Sequence, residues 1–213
     1  MFRQPIEILL SLPAVFLAIS FHEFAHAFTA DKLGDDTPRK QGRLTLAPLA
    51  HVDWTGLILF ALFGYGWAKP VQVNSSNFKN RKLGDILVSL SGPVANFLVA
   101  ILSLLVYVTL MAVNSATPVM DTILAVVNYS IYLNIIFGLL NLIPIPPLDG
   151  YRILKSLFFR SFTRLFMAYE KVGIFILFAF LLFGLFDLAV SRPALSIYQF
   201  LLTSGQSILE LIK

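Results

Sequence analysis

His22, Glu23 and His26 stand in FHEFAHAF, inside one of the most apolar stretches of a 213-residue chain. An ionisable group at the centre of a membrane helix costs about 2.5–3.5 kcal/mol on insertion scales, so three together ask for a use. On a helix, residues four apart share a face. His22 and His26 can therefore present two imidazole nitrogens to one point, and zinc takes such nitrogens at about 2.0–2.1 Å. Glu23 would stand beside that metal rather than on it, the place for a general base acting on water. A lone histidine in a membrane helix is usually packed or part of a proton path. Two at this spacing in an apolar helix fit metal chemistry better.

Catalytic zinc usually has three protein ligands, and Asp149 in PIPPLDGYR is the acidic residue that stands out as the third. It follows a long apolar run and falls at the same predicted depth as the histidines. The prolines deny a regular helix there, and Gly150 permits an unusual turn. The competing role for Asp149 is to cap the next helix. Asn141 can serve a substrate backbone or an oxyanion, or else cap its helix end or bond between helices. Asn96, in SGPVAN, reads as support through an interhelical bond among small residues. His51, the remaining histidine, could approach the metal from a loop, and a surface position is the simpler reading.

These residues need elements to hold them. Apolar runs long enough to cross a bilayer, which takes about 20 residues, cover about residues 6–33, 85–111, 122–142 and 172–190. Gly34 with Asp35 and Asp36 ends the first. Residues 39–78 form a polar region in which GRLTL and KPVQVN alternate like short strands, and LILFALFGYG is too short to span and reads as re-entrant or interfacial. KPVQVN could offer a strand edge to an extended peptide. The basic, aromatic stretch 151–171 reads as interfacial, and 191–213 as an amphipathic C-terminal segment. The expected fold is an α-helical polytopic membrane protein of about four transmembrane helices. A short β-rich or re-entrant region follows the first helix on the cytoplasmic side. Residues 1–190 form the core.

Composition agrees. Hydrophobic residues make up 57% of the chain and charged ones 13%, against about 25% charged in soluble domains. The net charge of +4 lacks the basic-aromatic pattern of nucleic-acid binding. With no cysteine, thiolate chemistry and disulfides are excluded. Lys and Arg concentrate in 31–83 and 151–171 and are absent from 112–121, which predicts the first two inside and the last outside. The N-terminus reads as a retained helix rather than a cleaved signal. HEFAH and LDG then both face the cytoplasmic side.

HEFAH in one membrane helix with NLIPIPPLDG ending a later one resembles the site-2 protease family of intramembrane zinc metalloproteases. That family's N-x-x-P-x-P-x-L-D-G is matched at Asn141, Pro144, Pro146, Leu148, Asp149 and Gly150, and SGPVAN matches its G-P-x-x-N element. The resemblance covers about residues 6–155 and is closest to compact bacterial and archaeal members, without PDZ or CBS domains. Ala47, Trp54 and Gln72 depart from those members, where Asn, Pro and Pro are common. The resemblance implies one catalytic Zn²⁺ held by His22, His26 and Asp149, with Glu23 as general base. The expected substrate is a single-span membrane protein cut in regulated intramembrane proteolysis, in the lipid bilayer of a prokaryotic cell membrane. The rival readings are a metal or proton transporter and an inactive scaffold. Clustering of the ionisable residues near one face, with no internal repeat, argues against the first. Intact HEFAH and LDG argue against the second.

Overall fold

A computed structural model describes residues 5–64, 66–113, 117–158 and 162–212, with side chains through Glu210. The chain runs through α1 (Pro5–Lys32), the short α2 (Thr37–Lys40), α3 (Trp54–Phe63), α4 (Arg81–Val113), α5 (Pro118–Leu142), α6 (Asp149–Phe158), α7 (Thr163–Leu182) and α8 (Arg192–Ile212). Four of these, α1, α4, α5 and α7, are long and apolar enough to cross a membrane. Their large exposed apolar residues, such as Leu98, Ile101, Leu102 and Leu105 on α4, would be unsustainable as a continuous face against water and suit lipid.

Helices α1, α4 and α5 pack together as the frame of the site, and α6 lies against α4. Small and β-branched residues fill the α1 side: Ala14, Val15 and Ile19 meet Leu133 of α5 and Phe60 of α3. Gly138 on α5 receives the Phe97 ring of α4, which a Cβ would approach to 2.8 Å. The end of α1 is set by a Schellman arrangement. Gly34 adopts φ 104°, Asp35 N–H bonds Ala30 O at 2.9 Å, and Gly34 N–H bonds Asp31 O at 3.1 Å. At the other end of the bundle, Thr117 caps α5 through Met120 N–H, with Pro118 in the first turn. The neighbouring residues 114–116 of the expected outer loop lie outside the described residues, as do Arg160 and Tyr65.

The β-rich region expected over 39–78 does not form. Among the described residues there is no strand, only an isolated antiparallel bridge between Val52 and Ala68. The reason is where the backbone bonds go. Lys69 N–H donates to His51 O, Lys69 O accepts from Arg43 Nη2, Val71 N–H donates to Glu23 Oε2 at 2.8 Å, and Asn74 N–H donates to Asp35 Oδ2 at 2.7 Å. Side chains take the ladder positions that a second strand would need. LILFALFGYG supplies most of α3, ten residues long and so about 15 Å, which packs through Gly56 and Phe60 and exposes Trp54, Ile58 and Leu62.

The basic stretch 151–171 divides between α6 and the start of α7, which Lys155 Nζ and Glu170 Oε1 join at 2.6 Å. The apolar run expected over 172–190 breaks at Gly184, φ 75°, and a π-helical turn at Asp187–Ser191 leads into α8. α8 lies along α4 and α5. Its Ala194 is buried with Ile131 and Ile135, Tyr198 Oη donates to Asn128 Oδ1 at 2.6 Å, and Gly205 sits against Val108 and Leu104.

Candidate metal centre

His22 and His26 lie one turn apart on α1, buried, their Nε2 atoms 3.0 Å apart. Asp149, at the start of α6, brings Oδ2 to 3.1 Å from each. The intervening IPIPP segment turns the chain from α5 into α6. Ile145 packs in it beneath Phe180 and Val190, and Tyr169 Oη holds Pro144 O at 2.9 Å. Gly150 is needed for closeness rather than for the unusual backbone expected of it. It has no positive φ, and a Cβ there would meet Leu142 O at 2.2 Å.

The hydrogen bonds decide which ring nitrogens carry protons. His22 Nδ1 lies 2.7 Å from Asn96 Oδ1, and His26 Nδ1 lies 2.7 Å from Val88 O. Both partners can only accept, so both Nδ1 atoms donate and both neutral Nε2 atoms present lone pairs. Asp149 Oδ2 has no hydrogen-bond donor. Three acceptor atoms thus converge with no proton to share, an arrangement that repels itself unless a cation lies among them. The spacing fits a cation. Ligands at about 2.0–2.1 Å in a tetrahedron stand about 3.3 Å apart, close to the observed 3.0–3.1 Å. These three residues could therefore hold a metal ion.

Helix α4 holds the rings from behind. Asn96 and Val88 are both on it, and Pro93, which cannot donate to a helical carbonyl, interrupts the ladder between them. Gly92 lets the backbone come close: a Cβ there would stand 2.5 Å from His22 Cε1 and 2.6 Å from His26 Cε1. SGPVAN therefore contributes both the interhelical bond expected of it and the cradle for two imidazoles.

Glu23 is buried one residue beyond His22. Oε2 is tied to Val71 N–H, which fixes the carboxylate on one side. Asn141, at the end of α5, donates from Nδ2 to Phe137 O at 3.0 Å, a bond to its own helix rather than to the convergent trio. His51 is not at the surface but fully buried. Its Nε2–H donates to Thr45 O at 2.8 Å and its Nδ1 faces Arg43 Nη2 at 3.4 Å. Burial, and then the guanidinium, hold its pKa below the ordinary histidine value, so the ring is a neutral strut of the loop. Arg43 is itself buried, which lowers its pKa, while the Glu23 charge acts the other way.

The residues that escaped sequence reasoning are Arg43, Asn134 and the Val71 amide. Asn134 had a usable signal, an amide in an otherwise apolar span. Arg43 and Val71 had none, because their roles depend on how an irregular loop folds back.

Residues 110–184 match peptidase family M50, a stretch that holds NLIPIPPLDG but not HEFAH. The chain is 44% identical over 145 residues to "Putative zinc metalloprotease YwhC" of Bacillus subtilis, covering 66% of each chain. It is 33% identical over 144 residues to "Putative zinc metalloprotease Rip2" of Mycolicibacterium smegmatis, covering 65% of this chain and 53% of that one. It is 32% identical over 145 residues to the Rip2 of Mycobacterium tuberculosis, with the same coverages of 65% and 53%. The chain thus spans just under two thirds of the length of the first relative and about half that of the other two. No solved structure matches it. With four helices fit to cross a membrane, two imidazoles and a carboxylate meeting between α1 and α6, and these relatives, the chain belongs to peptidase family M50, the site-2 proteases.

Proposed function

We propose that this chain is an intramembrane zinc metalloprotease that hydrolyses peptide bonds in or beside the transmembrane helices of single-span membrane proteins. The observation that carries the reading is the convergence of His22 Nε2, His26 Nε2 and Asp149 Oδ2, lone pairs outward, next to the buried carboxylate of Glu23. Those three would hold one zinc ion. Bound there, zinc supplies Lewis acidity toward a water and a carbonyl.

The chain's own groups do the rest. Val71 N–H pins Glu23 Oε2 and leaves the other oxygen to accept a proton from the attacking water. Glu23 then returns that proton to the leaving amine, so that one water is consumed and an acid and an amine are released. The Asn96 and Val88 acceptors keep the imidazole protons on the far side of the rings. Membrane helices α1, α4 and α5 exclude bulk water around the polar cluster, which strengthens every charge interaction within it. The Lys and Arg distribution supports a site toward the cytoplasmic face of the membrane, and the bacterial relatives support a prokaryotic one.

The test is zinc content and cleavage in the same preparation. Purified protein should carry one zinc per chain. Reconstituted in vesicles with a panel of single-span test proteins, it should cut at least one within or next to its span. Glu23→Gln should retain the zinc and lose cleavage by about 10²–10⁴-fold, the usual contribution of a general base. Equal cleavage by wild type and Glu23→Gln would overturn the reading, as would a wild type that takes up no zinc.

A further inference from the structure

Behind the candidate metal centre the Asn96 amide is itself held by a second buried amide, Asn134, to which the proposed mechanism gives no task. Asn96 and Asn134 are both fully buried, on facing surfaces of α4 and α5. Asn96 Oδ1 accepts from His22 Nδ1 at 2.7 Å. Its Nδ2 donates to Ala18 O and to Asn134 Oδ1, each at 3.0 Å. Asn134 Nδ2 in turn donates to Ser130 O at 2.8 Å.

The order of donors matters because a side-chain amide can turn over. Were Asn96 reversed, its Nδ2 would face His22 Nδ1 and force the ring's proton to Nε2. That proton would occupy the lone pair that the metal centre needs. Nothing at His22 itself prevents the reversal. What prevents it is the pair of acceptors that hold Asn96 Nδ2 on the other side, Ala18 O and Asn134 Oδ1. Asn96 would lose Asn134 Oδ1 as an acceptor if Asn134 reversed too, and Ser130 O, which holds Asn134 Nδ2, stops that. Each link therefore fixes the direction of the next, from a peptide carbonyl on α5 to an imidazole on α1. In hydrocarbon no water is at hand to stabilise the wrong orientation.

We propose that Asn134 is a positioning residue of the metal site, acting through Asn96 to keep His22 in the tautomer whose Nε2 can bind zinc. The inference deepens the zinc reading above and assigns a task to a residue that touches neither metal nor substrate. Outer-sphere partners of this kind typically change metal affinity by about 10–100-fold. Asn134 stands one link further out and shares its task with Ala18 O, so about tenfold is the expected effect.

Asn134→Ser is the main variant. A serine can bond the carbonyl four residues back along its own helix, which preserves Ser130 O's partner, but it is too short to reach Asn96. Zinc affinity is read by competition with a chromophoric chelator, and the metal-free melting temperature is recorded alongside. Asn134→Ser should weaken zinc binding about tenfold, and ¹⁵N shifts of the metal-free protein should show a mixture of His22 tautomers in place of Nδ1–H alone. Asn134→Asp, which keeps the acceptor for Asn96, should bind zinc within about threefold of wild type. Tyr198→Phe removes a different interhelical bond, to Asn128, and should lower the melting temperature without moving zinc affinity. Wild-type zinc affinity in Asn134→Ser, or equal weakening in Asn134→Ser and Tyr198→Phe, would overturn the proposal. If Asn134→Ser does not fold, the wild-type ¹⁵N shifts decide. Nδ1–H at metal-free His22 supports the relay, and Nε2–H there refutes it. A wild type that binds no zinc would defeat the zinc reading, and the tautomer measurement would still report on the relay.

Discussion

The metal cradle and the polar layer over it, residues 35–80, are built on opposite plans. In the cradle, side chains on α1, α4, α5 and α6 meet each other or a carbonyl of a regular helix, and those helices set their positions. In the layer, side chains reach for backbone: Asp35 takes Thr37 and Asn74 N–H, Arg43 takes Lys69 O, Glu23 takes Val71 N–H. A helix frame fixes distances to within fractions of an ångström wherever the helices touch. An irregular layer fixed by a few hydrogen bonds can loosen without the frame noticing. The two regions should therefore come apart under substitution, metal binding answering to the cradle and access to Glu23 answering to the layer.

The strongest break should come from Gly92→Ala. The same helix that would carry the new Cβ also holds both rings by their Nδ1 atoms. The Cβ would stand 2.7 Å from His22 Nε2 as well as against both Cε1 atoms, and the rings cannot retreat without breaking those bonds. Zinc affinity should fall by about a hundredfold or more, the upper end for disturbed outer-sphere support, in a protein that still folds. Isothermal titration of the metal-free variant checks this. An affinity within threefold of wild type would mean that the cradle yields more easily than its hydrogen bonds suggest.

The layer should break at Asp35. This fully buried carboxylate accepts from Thr37 N–H and Oγ1, Asn74 N–H and Asn77 Nδ2. Hydrogen bonds to a charged group are worth about 1.5–3 kcal/mol each, and Asp35→Asn removes the charge and one acceptor oxygen. Amide exchange over 74–77 should quicken by about tenfold or more, a change of about 1.4 kcal/mol or more, while zinc affinity stays within about twofold of wild type. Acid offers the same test without a mutation. Burial alone would raise the Asp35 pKa, but the bonds from Thr37, Asn74 and Asn77 outweigh it and hold the group below the ordinary carboxylate value. A depressed folded pKa means stability that is present above the unfolded value of about 3.9 and lost as pH falls through the folded one. Exchange over 74–77 should therefore be flat from neutral pH down to about 4, after correction for intrinsic rates, and rise below it. Asp35→Asn should lack that rise.

The same division explains what could be read from the sequence. The meeting of His22, His26 and Asp149, with Glu23 buried beside His22, was legible because each is an ionisable residue in or beside an apolar run, where its presence has a price. Helix spacing then did the geometry for His22, Glu23 and His26. The four long helices were legible for the same reason, as lengths of hydrocarbon. Within 39–78, GRLTL and KPVQVN were misread as short strands because they alternate, and alternation says which side chains are buried, not what the backbone bonds to. His51 was misplaced at the surface since a polar residue in a polar stretch carries no mark of burial. Asn134 lay between these cases: its amide stands out in an apolar span, but only the direction of its hydrogen bonds gives it a task.

The smallest expected effect tests whether α3 belongs to the layer or to the frame. Asp53 caps α3, its Oδ1 accepting from Gly56 N–H at 2.9 Å. Ten residues make a helix that is marginal without help, and loss of such a cap costs about 0.5–2 kcal/mol. The helix has a second support, however. Gly56 lies so close to residue 67 that a Cβ on it would meet Trp67 O at 2.1 Å, and Phe60 is buried against α1 and α5. If the cap governs, Asp53→Ala should speed amide exchange over 56–60 about fivefold, or about 1 kcal/mol, with zinc affinity and overall melting temperature nearly unchanged, and Asp53→Asn should restore most of the protection. If packing on α1 and α5 governs, the exchange rates will not move, and α3 must be counted with the helical frame, leaving only the segments on either side of it as the loose cover of the site.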